Sequence, residues 1–238
     1  MTLHEALGIP ATEKHIVSLV GGGGKTTLLY ALAAESCADV PSAIFTTTHI
    51  LPPSEENVSL LVPFSEENCR SLWAQGAVAA AGTPSPSDGK LAPPDEKTVS
   101  FLLREAKAVY IEADGSKRQP LKFPAAHEPV VLPESTHIVA VAGLSAVGKG
   151  PDECIQRLSL ARETVDIPDE PITENTAAQL LWAGYGAYDP VFLLNQADTR
   201  EKQESGERLA AILKELGARR VIITALLPSC QERQIMIR

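Results

Sequence analysis

The sequence predicts an α/β fold, with a mostly parallel sheet covered by helices on both faces. Short apolar runs of strand length alternate with segments of helical periodicity along the chain. The runs are continuously apolar rather than alternating, which is typical of strands buried on both faces of a parallel sheet. We see no internal repeat and no clean linker in the 238 residues, so we expect one domain over residues 1–238.

The predicted strands are the apolar runs bounded by turn-forming or polar residues. In chain order they span residues 15–20, 42–48, 77–83, 108–113, 137–143, 191–195 and 219–225.

The predicted helices rest on apolar spacing and on capping signals. Val99, Leu102, Leu103 and Ala106 fall on one helical face, and so do Leu209, Ile212, Leu213 and Leu216, followed by Gly217 as a C-cap. In chain order we expect helices over 26–37, over 65–75, around 99–106, over about 173–182, and before Gly217.

Composition excludes several classes of protein. The net charge is −9 and the pI is near 5.1, whereas nucleic-acid-binding domains usually present a basic face, so we expect no nucleic-acid partner. No run approaches the roughly 18 apolar residues of a membrane span, and the first 15 residues lack the features of a signal peptide. The four cysteines are scattered and predict free thiols rather than a metal or redox site. We therefore expect a cytoplasmic protein without membrane contact.

A glycine-rich loop lies between the first predicted strand and the first predicted helix. Lys25, Thr26 and Thr27 follow it directly, which is typical of a phosphate-binding loop (P-loop). The lysine would reach the β- and γ-phosphates of a nucleotide, and the Thr26 hydroxyl would bind Mg²⁺. We expect Lys25 to lie on a solvent-facing loop. The glycines expected to offer backbone N–H groups to phosphate oxygens are Gly21, Gly22, Gly23 and Gly24.

The alternative is a tight glycine turn without a ligand, but such a turn does not require Lys-Thr at the start of a helix. The spacing resembles the K-G-G-x-G-K-[ST]-[ST] variant of the SIMIBI class of P-loop proteins, which includes MinD-like ATPases and GTPases that assist the maturation of metal enzymes. Val20 stands where that variant has its leading lysine, which favours the GTPase branch over the MinD-like branch.

A predicted strand ends in acidic residues at Glu112 and Asp114, followed by Gly115. A P-loop fold places a carboxylate linked to Mg²⁺ at such a strand end, so Glu112 is the second candidate metal ligand. Lys25, Glu112 and Asp114 are the candidate catalytic residues. The segment also resembles the E-x-x-G motif of metal-maturation GTPases, which implies that the Gly115 N–H contacts the γ-phosphate.

Two further segments resemble the base-binding motifs of GTPases. Asn195, Gln196 and Asp198 resemble [NT]-[KQ]-x-D, in which the aspartate accepts two hydrogen bonds from the guanine edge. Ala225 lies in a segment similar to S-A-[KL], whose backbone N–H contacts the guanine oxygen. The motifs predict GTP rather than ATP as the nucleotide. Asn195 and Asp198 are equally typical of turn and helix-capping positions.

Basic residues cluster after the acidic strand end. On an acidic chain this cluster suggests contact with an anionic substrate or partner, although a solvated loop is the better explanation of any single lysine. The four candidates are Lys117, Arg118, Lys122 and His127.

The chain resembles the YqeC family in three segments, Gly21–Thr27, Thr46–His49 and Glu112–Pro129. The resemblance implies a role as an accessory protein of selenium-dependent molybdenum hydroxylases or of their cofactor. We therefore predict a Mg²⁺-dependent nucleoside triphosphatase that assists this maturation. The alternatives are a kinase-like phosphoryl transferase with Asp114 as base, and a nucleotide-binding adaptor that does not hydrolyse. The sequence leaves the oligomeric state open.

Overall fold

A computed structural model describes residues 1–10, 13–36, 40–53, 58–86, 89–226 and 234–237. The strands in this part of the chain are β1 (His15–Gly21), β2 (Ser42–Thr46), β3 (Val58–Leu61), β4 (Val78–Ala81), β5 (Thr83–Pro84), β6 (Leu91–Ala92), β7 (Ala108–Glu112), β8 (Leu121–Lys122), β9 (His137–Gly143), β10 (Ile155–Gln156), β11 (Val191–Asn195), β12 (Val221–Ala225) and β13 (Gln234–Ile237).

The helices begin at capping residues in most cases. Ser65, Asp95, Thr173 and Thr199 each accept a hydrogen bond from a backbone N–H in the first turn of the helix that follows. The α-helices are α1 (Leu3–Leu7), α2 (Lys25–Ser36), α3 (Glu66–Ala74), α4 (Glu96–Glu105), α5 (Pro151–Cys154), α6 (Leu158–Arg162), α7 (Glu174–Tyr185) and α8 (Arg200–Glu215), with 3₁₀ turns at Leu144–Ala146 and Gly186–Tyr188.

The central sheet has nine strands in the order β13-β12-β11-β9-β1-β7-β2-β4-β3. Eight of them are parallel, and β13 pairs antiparallel with β12 at one edge. Strand β1 lies between β7 and β9, and every residue of β1 is buried. The glycine loop therefore leaves the middle of the sheet at its carboxyl edge, where ligands of parallel sheets bind.

Helices cover both faces of the sheet, which confirms the predicted fold class. Helices α1 and α2 pack against one face in a cluster that includes Leu19, Leu29 and Tyr110. On the other face, α7 and α8 cover the β9–β11–β12 half, and α3 and α4 cover the half around β2 and β7, with Phe101 at its centre. Residues adjacent in a strand point to opposite faces, so each run had to be apolar throughout.

The predicted strands and helices are confirmed, with shifts at their ends. The helix expected over 26–37 begins at Lys25 and is described to Ser36, and the strand expected over 42–48 ends at Thr46. The sequence analysis missed several elements that are too short for a clear periodicity, namely α1, α5, α6, β3, β6 and β13. It also missed β8 and β10, which pair with each other outside the central sheet.

Candidate functional site

A cleft of about 760 Å³ opens at the carboxyl edge of the central sheet. This volume is typical of small-molecule sites. Its walls come from the glycine loop, the start of α2, the loops after β2 and β7, and strand β10. The lining residues are Gly23, Gly24, Lys25, Thr26, Thr27, Thr48, His49, Ile50, Leu51, Lys90, Glu112, Gly115, Ser116, Lys117, Arg118, Glu128, Gln156, Arg157 and Gln196.

The glycines of the loop are required by the protein that surrounds them. Gly21 and Gly23 have φ of +92° and +74°, which L side chains rarely adopt. A Cβ at Gly21 would lie 2.2 Å from the Val141 carbonyl oxygen, and one at Gly23 would lie 2.1 Å from the Gly143 nitrogen. The end of β9 therefore presses directly on the loop.

Three loop amides are paired within the protein. Gly21 N–H donates to Asp114 Oδ2 (3.0 Å), Gly22 N–H to the Val141 carbonyl (2.8 Å) and Gly23 N–H to the Gln119 carbonyl (3.1 Å). These amides support the loop rather than face the cleft as the sequence predicts.

Asn195 connects the glycine loop to the end of β12. Its Nδ2 donates to the Gly23 carbonyl (3.0 Å), and its Oδ1 accepts the N–H of Leu226 (2.9 Å). A Cβ at Gly24, where φ is +128°, would lie 2.3 Å from Asn195 Nδ2. Because the buried amide is satisfied by protein on both sides, Asn195 positions the loop and does not face the cleft.

The first turn of α2 provides the free amides. Leu28 N–H bonds back to Gly24 (3.0 Å), so the preceding N–H groups, from Lys25 to Thr27, have no acceptor within the helix. All three residues line the cleft. Free N–H groups at the positive end of a helix 12 residues long favour an anion here.

Lys25 is folded back beneath the loop instead of facing solvent. Its Nζ donates to the Gly21 carbonyl (2.5 Å) and lies 3.2 Å from Asp114 Oδ1. The lysine side chain is only 3% exposed, and the aspartate is fully buried. The expectation of a solvent-facing Lys25 is wrong, because the buried Asp114 carboxylate attracts the ammonium group.

Thr26 and Glu112 form the next contact across the cleft. The Thr26 hydroxyl donates to Glu112 Oε2 over 2.9 Å. Burial raises the pKa of Glu112, and the nearby Lys25 and the Thr26 hydrogen bond only partly offset this effect. Glu112 is the last residue of β7, and its Oε2 lies next to the Thr26 hydroxyl of the helix that follows the glycine loop.

This pair suits Mg²⁺ bound together with phosphate. Mg²⁺ prefers oxygen ligands and usually takes one or two from protein while substrate phosphates and waters supply the rest. Thr26 and Glu112 fit that donor set. Among the described residues, no group of three or more His, Cys, Asp or Glu side chains could hold a metal ion by itself.

Asp114 lies under the glycine loop and is the centre of a buried polar network. Its Oδ2 accepts the Gly21 N–H (3.0 Å) and the Tyr185 hydroxyl (3.1 Å), and lies 3.4 Å from Lys122 Nζ. Desolvation and the neighbouring carboxylate raise the pKa of Tyr185 well above its ordinary value. Oδ1 has no hydrogen-bond partner in the described part of the chain, because Lys25 approaches it only as an ion pair.

The network continues from Lys122 to two side chains that line the cleft, Glu128 and Arg157. Lys122 Nζ donates to the Gly115 carbonyl (2.8 Å) and pairs with Glu128 Oε2 (2.9 Å). Glu128 Oε1 accepts from Arg157 (3.1 Å). Burial alone would raise the pKa of Glu128, but the bonds from Lys122, Ala125 and Arg157 together lower it.

Comparison with known proteins decides the family. A family model described as YqeC protein matches residues 17–159, a range that contains the glycine loop, Glu112 and the whole buried network except Tyr185. The chain belongs to the YqeC family. An Escherichia coli (strain K12) protein named "Uncharacterized protein YqeC" is 30% identical over 193 residues, covering 74% of this chain and 71% of that protein.

The structure of this YqeC member brings several predicted residues to the cleft. They come from both the nucleotide and the partner predictions and include Gly23, Gly24, Lys25, Thr26, Thr27, Glu112, Gly115, Lys117 and Arg118.

Two other predicted residues are buried in this YqeC fold. Lys122 is fully buried and ion-paired, which contradicts its expected place among the ligand-facing cations. Asp114 is also fully buried, and its Oδ2 contacts the glycine loop, Tyr185 and Lys122.

The remaining predicted residues lie away from the cleft lining. His127 is exposed on the neighbouring loop, and Ala225 is buried at the end of β12. Asp198 is exposed, and its Oδ1 accepts from Lys202 (2.7 Å) in the first part of α8. Only Gln196 of the predicted base motif lines the cleft.

Sequence reasoning missed Tyr185, Gln156 and Arg157. Tyr185 ends a helix far along the chain, and Arg157 follows a two-residue strand. Neither belongs to a motif, and only the pairing of β8 with β10 brings Arg157 beside the basic loop.

Two of the four cysteines fall within the described residues. Burial raises the pKa of Cys69 to about 12 and that of Cys154 to about 11, so both are unreactive thiols near neutral pH. Cys37 and Cys230 lie outside the described residues. None of the described helices has the length and apolar character needed to cross a membrane.

Proposed function

We propose that this protein is a cytoplasmic, Mg²⁺-dependent nucleoside triphosphatase that assists maturation of a selenium-dependent molybdenum hydroxylase or its cofactor. The observation that supports nucleotide binding best is the start of α2. There, free amides, the Lys25 ammonium group and the Thr26–Glu112 pair converge at one end of a cleft.

The phosphates would bind at the free N–H groups of Lys25, Thr26 and Thr27. Lys25 would exchange Asp114 and the Gly21 carbonyl for the β- and γ-phosphate oxygens, since these offer stronger charge-assisted bonds. Lys122 and Tyr185 would remain on Asp114 and keep the buried carboxylate partnered. The position of Lys25 would therefore depend on whether phosphate is bound at the glycine loop.

Glu112 and Thr26 would hold Mg²⁺, which supplies charge neutralisation between the β- and γ-phosphates. When Mg²⁺ is present, the carboxylate form of Glu112 is favoured over the neutral form that burial favours. Glu112 would also be within reach of a water that it could orient towards the γ-phosphate. This role makes Glu112 more important for turnover than for affinity.

GTP is the proposed nucleotide, with ATP as the alternative. The proposal is supported by the Asn195–Asp198 motif and by the way Asn195 fixes the loop to β12. Asp198 would have to leave Lys202 to accept the guanine N1–H and N2–H₂ groups. That exchange requires little energy because the Lys202 pair is partly exposed to solvent.

A direct experiment is a titration of the purified protein with GTP and ATP, each with and without Mg²⁺, followed by measurement of released phosphate. We expect tighter binding of GTP, and turnover that requires Mg²⁺. Binding of neither nucleotide would reject the proposal. Binding without phosphate release, even with the molybdenum cofactor added, would favour the non-hydrolysing adaptor.

The maturation role rests on membership of the family and on what the resemblance implies. Its test is reconstitution of the apo-hydroxylase with molybdenum cofactor, a selenium source and GTP, with and without this protein. We expect hydroxylase activity to depend on the protein and on nucleotide turnover. Equal activation by the protein lacking bound nucleotide would reject an energy-dependent role.

A phosphoryl transferase is the second candidate, since the cleft extends beyond the glycine loop to Arg118 and Arg157 and leaves room for an acceptor. Product analysis separates the two reactions. A transferase leaves the γ-phosphate on an acceptor, whereas a triphosphatase releases it as inorganic phosphate.

A further inference from the structure

The rim of the cleft carries basic side chains from the segments after β7 and β10, next to Gln119, whose carbonyl accepts the Gly23 N–H. Lys117 and Arg118 lie on the loop after β7, and Arg157 lies directly after β10. All three are exposed at the rim of the same cleft in a chain with a net charge of −9. Such a local concentration of cations is opposite in sign to the charge of the whole protein.

The acidic groups of the cleft neutralise these cations only in part. Arg157 pairs with Glu128, but Glu128 is shared with the fully buried Lys122. Lys117 and Arg118 have no hydrogen-bond or ion-pair partner among the described residues, and Glu112 bonds to Thr26. The rim therefore keeps a positive charge that a ligand could use.

Backbone strain is concentrated at the same place. Within the described ranges, five non-glycine residues have φ between +48° and +71°, and four of them line the cleft. Three of these four are the rim cations, at +49° for Lys117, +65° for Arg118 and +67° for Arg157. Strained conformations of this kind cluster at ligand sites, where the surrounding structure fixes side chains in a required direction.

The two parts of the rim are held together by Gln156. In the amide orientation that satisfies its surroundings, Nε2 donates to the carbonyls of Gly115 (2.7 Å) and Ser116 (3.2 Å). Parallel pairing of β8 with β10 adds backbone bonds beside it. Arg157 is thus fixed next to the loop that presents Lys117 and Arg118.

We propose that Lys117, Arg118 and Arg157 form a second anion site, which binds the phosphate group of a small phosphorylated substrate while the glycine loop holds the nucleotide. Guanidinium groups suit phosphate because they donate two parallel hydrogen bonds. This proposal rests on the proposed function in one respect only, that the glycine loop binds a nucleotide.

The test uses glycerol 3-phosphate as probe and glycerol as the uncharged control, titrated into the full chain by ³¹P NMR and calorimetry. The titration is made without nucleotide and again with a saturating non-hydrolysable GTP analogue and Mg²⁺. We expect a dissociation constant of about 1 mM or lower in both conditions, as for a few charge-assisted bonds. Glycerol should not bind.

Arg157→Gln and Arg118→Gln should each lower the affinity for the probe at least about tenfold, without changing the affinity for the nucleotide. Arg200→Gln is the matched control, because Arg200 is 91% exposed on α8 and does not line the cleft. Arg118→Gly is a second variant. It removes the side chain and also the strain of a positive φ, which glycine adopts freely. The variant should therefore no longer bind the probe, while its melting temperature stays equal or rises.

The proposal is overturned if the probe fails to bind below about 10 mM, or if all variants bind it equally. It is also overturned if the GTP analogue displaces the probe completely, since the phosphate would then occupy the glycine loop. Failure of nucleotide binding with the Arg157-dependent probe site intact would reject the proposed triphosphatase and leave the second site standing.

Discussion

Lys25 and Asp114 form a fully buried ion pair beneath the glycine loop, with 3.2 Å between Nζ and Oδ1. The other oxygen of Asp114 accepts the N–H of Gly21, so one carboxylate holds both the first glycine of the loop and the lysine that follows the last. The residue expected to bind phosphate therefore also contributes to the support of the loop.

The first prediction is that Lys25→Ala loses both nucleotide binding and stability. The variant removes one charged partner of the buried Asp114 carboxylate, while Lys122 and Tyr185 remain on its other oxygen. We therefore expect a loss of about 2 kcal/mol in the free energy of unfolding, as for a hydrogen bond to a charged group. Urea denaturation and nucleotide titration measure the two effects. The matched control is Lys202→Ala, which breaks the partly exposed pair with Asp198 and should cost about 0–1 kcal/mol.

Lys25→Gln separates the two roles if the alanine variant does not fold. It keeps a donor near Asp114 and the Gly21 carbonyl, but it has no charge for phosphate. Normal nucleotide affinity in this folded variant would contradict the phosphate-loop hypothesis.

The second prediction concerns Glu112, whose pKa is raised by burial. Because the folded protein holds this proton more strongly than the unfolded chain, the carboxyl group lowers stability progressively as pH rises above the ordinary value of 4.5 towards the folded value. Glu112→Gln cannot ionise. Its melting temperature relative to wild type should therefore rise between pH 4 and pH 8 in the absence of Mg²⁺.

The same variant should lose turnover more than nucleotide affinity, since it removes the charged oxygen proposed for Mg²⁺ and water. Asp114→Asn is the comparison, because it alters the support of the loop and should affect stability and affinity together. Unchanged turnover in Glu112→Gln would remove Glu112 from the chemistry.

A third prediction tests why the loop is glycine. Gly23→Ala places a Cβ 2.1 Å from the Gly143 nitrogen at a φ of +74°. Overpacking and the left-handed backbone together should cost roughly 3 kcal/mol. Gly115→Ala is the control, since its Cβ would meet nothing within 4 Å and should change stability by less than about 0.5 kcal/mol. Equal stability of the two variants would show that β9 does not constrain the loop.

The fourth prediction addresses the base. Asp198→Asn should weaken the binding free energy of GTP by about 2–4 kcal/mol through loss of a charge-assisted pair. It should gain affinity for XTP, because the extra carbonyl of xanthine accepts a hydrogen bond from the asparagine amide. Competition titrations with GTP, XTP and ATP measure the ratio. Lys202→Gln controls for loss of the ion pair and should leave the GTP-to-XTP ratio unchanged, and an unmoved ratio in Asp198→Asn would reject guanine readout.

The sequence by itself determined the fold class and the longer strands and helices. Continuous apolar runs such as 15–20 and 137–143 predicted buried parallel strands, and the glycines followed by Lys-Thr placed the loop between β1 and α2. These features are local, since strand burial and the start of a helix depend on residues that are close together in the sequence. The family motif between Glu112 and Pro129 is likewise contiguous in the chain.

Only the tertiary structure decided what the charged residues do. Lys122 and Arg118 look equivalent in the sequence, yet one is fully buried between Asp114 and Glu128 and the other lies at the rim of the cleft. Arg157 lies beside them because β10 pairs with β8 over two residues. A strand of two residues has no periodicity by which the sequence could predict it. Burial and charge pairing depend on which distant segments meet, and that is fixed by the packing of the whole sheet rather than by local spacing.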